Sequence, residues 1–164
     1  MKKALTLLST IILLTGCGGN SSYTLTENTF FMVMTNIQYY PEEYLKKDIT
    51  FDCFTYELES TSGDKYLCGV RKCSSGFGCK CGKDTIIGFI LNPTDNLPQP
   101  IKQYEDSNEK AWIHLTGQLH SDKKKEFKIY TADQSEETVQ FLTLNVSNFN
   151  SIEDYSGLHY YVDK

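Results

Sequence analysis

The run Trp112-Ile113-His114-Leu115-Thr116 alternates: Ile113 and Leu115 fall on one side, Trp112, His114 and Thr116 on the other. Successive side chains of a strand point to opposite faces, so this spacing reads as a β-strand with one face buried. Phe127 and Ile129 repeat the pattern with Lys128 opposite. Working outward, Ile49 to Glu57, Lys65 to Arg71, Thr85 to Leu91, Ala111 to Leu119, Glu126 to Tyr130 and Thr138 to Asn148 are short runs rich in β-branched and aromatic residues. Ser62-Gly63-Asp64 and Asp122-Lys123 punctuate them as turns. Thr29 to Tyr40 is also apolar and reads as strand, whereas Pro41-Glu42-Glu43-Tyr44-Leu45 has the proline-first, acid-early character of one or two helical turns. Asn92 to Asp106 carries Pro93, Pro98 and Pro100 and no periodicity, which reads as a long loop. Short strands without intervening helices predict an all-β fold, an antiparallel barrel or sandwich with one short helix.

Composition bounds the rest. With 164 residues, 40% hydrophobic and 13% aromatic, the chain can bury the core of one domain. Its formal charge of −5 argues against nucleic acid, whose phosphates need clustered Lys and Arg.

The N-terminus reads as an address. Met1-Lys2-Lys3 is a positive start, Ala4 to Leu14 an apolar run, and Leu14-Thr15-Gly16-Cys17 a small-residue box ending in cysteine. This resembles a bacterial lipoprotein signal peptide. The apolar run is shorter than the ~20 residues that span a bilayer. The resemblance implies cleavage after Gly16 and a thioether-linked diacylglycerol on Cys17, placing the protein on the extracytoplasmic face of the cell membrane. Residues 1–16 are then the leader, 17–28 a lipidated tether and 29–164 the β domain.

Five further cysteines remain: Cys53, Cys68, Cys73, Cys79 and Cys81, four of them within fourteen positions. The glycines and serines of Cys73-Ser74-Ser75-Gly76-Phe77-Gly78-Cys79-Lys80-Cys81-Gly82-Lys83-Asp84 let the segment fold back tightly. One reading is thiolates converging on a cation such as zinc, which takes about four N or S ligands. The other is disulfides formed outside the cytoplasm, with one thiol left over. The spacing is not that of a familiar zinc finger, and both readings stand at this point. No nucleophile elbow, P-loop or dinucleotide fingerprint is present, and His114, His120 and His159 lack metal-ligand spacing, so the expectation is a non-enzymatic binding module.

In order along the chain, Pro41 to Ile49, Phe54-Thr55-Tyr56, Arg71, Cys79-Lys80-Cys81-Gly82-Lys83-Asp84, Trp112 to Gly117 and Gly157 to Val162 resemble the carboxy-terminal domain of the YcgQ-like bacterial proteins. That resemblance implies an OB-like barrel, a multi-pass permease-like membrane partner and zinc-responsive regulation. If the family motif binds metal, the sulfurs carried over are Cys79 and Cys81, with Asp84 as an oxygen ligand or an acceptor orienting the ligands. Cys68 and Cys73 join them by proximity alone. The chain departs from the pattern in three places: the adjacent cysteine pair becomes C-x-C, Cys53 stands where glycine is usual, and Lys46 replaces a glycine. A disulfide-stapled barrel that binds a protein or glycan through its mouth and the Pro93 to Asp106 loop is the alternative function.

Overall fold

The computed structural model describes residues 21–73, 85–92, 101–102, 112–130, 136–159 and 161–162. Strand β2 (Asp48–Glu59) pairs antiparallel with β3 (Lys65–Cys73), and β3 with β4 (Thr85–Asn92). Strand β4 runs parallel to β7 (Glu136–Ser151), β7 is antiparallel to β6 (Trp112–Tyr130), and β6 returns to β2. The sheet thus closes into a ring with OB-like connectivity, which removes its open edges. The expectation of an all-β, OB-like barrel is met.

Closure depends on β2 changing partner along its length. Its first half, Ile49 to Phe54, pairs with β6, and its second half, Phe54 to Glu59, with β3. At the crossover Cys53, Phe54 and Thr55 are buried in succession, since the strand is covered on both faces there. Two apolar clusters result. One holds Phe51, Cys53, Cys73, Phe89, Ile113 and Leu115; the other holds Phe54, Leu58, Cys68, Val70, Trp112 and Phe127. Trp112 and Ile113 therefore both sit in apolar surroundings, on opposite faces of one strand. Each fully buried aromatic, such as Phe51 or Phe54, contributes roughly 1.5–3 kcal/mol.

Five sequence expectations need correction or refinement. Thr29 to Tyr40 is not a strand: Phe30–Tyr39 forms helix α1, with Phe30, Met34 and Ile37 at i, i+4 and i+7 buried in the first cluster. A turn in which Thr26 O accepts from the Thr29 and Phe30 amides starts it, and Pro41 ends it by disfavouring helical backbone at Tyr40. The expected helical turn is the 3₁₀ segment Pro41–Tyr44. Asp122-Lys123 is not a turn between strands: Trp112 to Leu119 and Glu126 to Tyr130 belong to the single strand β6, whose register with β7 shifts between Leu119 and Lys124. The Asn92 to Asp106 stretch includes a short strand β5 (Ile101–Lys102), parallel to β2 at Tyr56 and Glu57. Finally, Ser22–Thr24, in the stretch read as tether, forms β1 alongside Asp48–Thr50, and Leu25 is buried. No helix among the described residues is long and apolar enough to cross a membrane.

Candidate functional site

Cys17, Cys79, Cys81 and Asp84 lie outside the described residues. The frame that carries the last three is on the page. Strands β3 and β4 pair down to Cys73 and Thr85, the last partners of their ladder. Cys73 and Thr85, the residues that flank 74–84, are therefore directly opposed.

The structure separates the remaining cysteines. Cys68 and Cys73 are five apart on one strand, so their side chains point to opposite faces, and they belong to different apolar clusters. Both are fully buried. Cys53 and Cys68 are free thiols. Burial raises the thiol pKa of each; for Cys53 the Arg71 charge offsets only part of that rise. Both stay protonated at neutral pH, inert as nucleophiles and poor as metal ligands. Cys53 Sγ fills the space above Gly69, where an added Cβ would come within 2.8 Å of it. Among the described residues no group of three or more His, Cys, Asp or Glu could hold a metal ion.

Two residues before Cys73, Arg71 is the largest fully buried side chain. Its Nη1 and Nη2 donate to Glu27 Oε1 and Oε2 at 2.7 and 2.8 Å, a bidentate pair. Nη1 also donates to Asp52 O at 3.3 Å and Nη2 to His159 O. The guanidinium lies 4.9 Å from the Trp112 ring centre and 5.3 Å from that of Phe30. Its Nε has no hydrogen-bond partner among the described residues. Burial pushes Glu27 up, but the Arg71 hydrogen bonds and charge, joined by the His159 N–H, outweigh it and leave the carboxyl below its ordinary value. Arg71 thereby fastens the segment before α1 and the C-terminal segment to the strand that feeds residues 74–84. Val162 N donates to Lys72 O at 3.0 Å and completes the join.

Sequence reasoning reached Arg71 only through the family pattern. The local sequence marks it weakly: Arg71 follows the uncharged run Tyr66 to Val70 but stands beside Lys72, and nothing local points to Glu27 as its partner.

His114 Nδ1 lies 2.6 Å from Asp52 Oδ1 on the exposed face of β6, and His120 contacts Asn145. His159 contributes main-chain atoms to the Arg71 join. Of the C-terminal tyrosines, Tyr155 stacks on Trp112, and Tyr161 bridges to Lys72. A cleft of about 260 Å³ opens where β4 and β7 diverge below Phe89 and Leu142, lined in part by Gln38, Tyr39, Thr85, Lys124 and Gln140.

No curated protein and no solved structure matches the chain. The model of one family, the DUF1980 C-terminal domain, matches residues 13–148. That span takes in α1, the Arg71–Glu27 pair, both ends of the cysteine segment and most of the barrel, and the chain belongs to the DUF1980 C-terminal domain family.

Proposed function

We propose that this protein is a lipid-anchored, extracytoplasmic binding module, without catalytic activity, whose cysteine segment captures a soft or borderline cation such as zinc and works beside a permease-like membrane partner. The supporting observation is the Cys73–Thr85 pair. It holds the two ends of residues 74–84 side by side, so Cys73, Cys79, Cys81 and Asp84 are confined to one short excursion from a rigid base. Cys79, Cys81 and Asp84 offer two sulfurs and a carboxylate to zinc, and Cys73, fully buried at the base of the segment, is the nearest described sulfur to them in sequence. Cys53 and Cys68, buried and protonated in separate clusters, stay out of it. Cysteine must lose its proton to bind, so affinity falls as pH drops. Arg71, two residues before Cys73, positions the base of the segment through its pair with Glu27.

Counting thiols in denatured, unreduced protein tests the reading against its rival. Metal capture leaves Cys53, Cys68, Cys73, Cys79 and Cys81 all alkylatable. A disulfide among the last three removes two of them and favours the stapled barrel with a protein or glycan ligand. The intact mass of protein taken from membranes tests the anchor separately, through the diacylglycerol on Cys17.

A further inference from the structure

Helix α1 contains no charged residue: its sequence is Phe30-Phe31-Met32-Val33-Met34-Thr35-Asn36-Ile37-Gln38-Tyr39. Its inner face is spent on the first apolar cluster through Phe30, Met34 and Ile37. Its outer stripe, Met32, Asn36 and Tyr39 at i, i+4 and i+7, faces solvent and continues into Tyr40. Met32 is 60% exposed, Tyr39 61% and Tyr40 54%, the three most exposed large apolar side chains of the described residues. A helix whose inner face is buried and whose outer stripe carries Met32 and tyrosine rings largely exposed among the described residues has a second surface to account for.

The chain itself points to what meets that surface. Ser22 opens β1, only five residues after Cys17, and a fully extended stretch of that length reaches at most ~17 Å. A diacylglycerol on Cys17 therefore holds β1, and α1 shortly after it, within a short distance of the lipid headgroups. Tyrosine, with an apolar ring and a polar tip, suits the boundary between acyl chains and water, and methionine suits the layer just beneath. We infer that the outer stripe of α1, Met32, Tyr39 and Tyr40, lies on the bilayer surface and sets the orientation of the barrel above it. The inference rests on the anchored reading for its proximity argument. Glu42 and Glu43 beyond Tyr40 are balanced by Lys46 and Lys47, so the docking rests on the side chains of the stripe rather than on lipid charge.

The test is bromine quenching of an indole in lipidated full-length protein, reconstituted in phosphatidylcholine vesicles brominated high on the acyl chain. The chain has one tryptophan, Trp112, which is buried and serves as the internal reference. Met32→Trp adds a probe on the stripe without disturbing the core. Thr61→Trp adds one at the tip of the β2–β3 hairpin, at the opposite end of β2 from Phe51, which touches Phe30. The expected result is a severalfold loss of the emission added at position 32 and little loss at position 61, with similar quenching when anionic phosphatidylglycerol is included. Unquenched emission at 32, or equal quenching at both positions, overturns the docking. The mass of Cys17 is read from the same sample, so an unlipidated chain that is still quenched at 32 overturns the anchor and leaves the docking standing.

Discussion

Arg71 and Glu27, forty-four residues apart, form a bidentate ion pair in which the guanidinium is almost wholly buried and the carboxylate about a quarter exposed. Through that pair the segment before α1, the crossover strand β2 and the chain end near His159 converge on the strand that leads to Cys73.

Removing the carboxylate strands a buried cation. Glu27→Gln is expected to destabilise the fold by about 2–4 kcal/mol, less than the full cost of a deeply buried pair because Glu27 is partly solvated. Urea unfolding reads the loss. Arg71→Met keeps much of the packing against Phe30 and Trp112, and should restore part of the stability to Glu27→Gln when the two are combined.

The same pair sets a pH dependence. A carboxyl whose folded pKa is lowered contributes stability that is full above its ordinary value of 4.5 and disappears as pH falls through the lowered value. The gap in urea midpoint between the wild type and Glu27→Gln should therefore be constant from neutrality to about that pH and narrow in more acid solution. A gap that widens on acidification would show that Glu27 is not the group being held.

Lys46 occupies the left-handed region with φ of 61°, a conformation that suits glycine. Lys46→Gly is expected to raise stability by up to about 1 kcal/mol, relief of backbone strain offset in part by the greater freedom of unfolded glycine. Thermal unfolding checks the sign.

Close packing between β2, β3 and β4 gives a fourth test. An added Cβ at Gly69 would press on Cys53 Sγ, a side chain that can be shortened, whereas at Gly88 it would fall 2.0 Å from the Gly69 carbonyl oxygen. Gly69→Ala should be destabilising and partly rescued by Cys53→Ala, while Gly88→Ala should unfold the hairpin with no such rescue. Soluble yield and circular dichroism distinguish them.

Much of the barrel was legible because period-two alternation survives wherever one strand face meets the core, as at Ile113 and Leu115 or Phe127 and Ile129. It misled at Thr29 to Tyr40, where β-prone Phe30, Val33 and Ile37 also satisfy helical spacing and tertiary burial decides. It misled again at Asp122-Lys123, polar residues that a register shift accommodates inside one long strand. For the candidate site, the cysteine crowding was visible but its division was not. Which of Cys68 and Cys73 faces which cluster depends on strand register, and the partner of Arg71 depends on closure between distant segments.

Zinc stoichiometry on reduced protein decides most directly whether the segment between Cys73 and Thr85 is a metal centre. One tightly held zinc per chain is expected in the wild type and in Cys68→Ala, with that zinc lost from the double variant Cys79→Ser, Cys81→Ser. No zinc in the wild type, or the same zinc in the double variant, would contradict it.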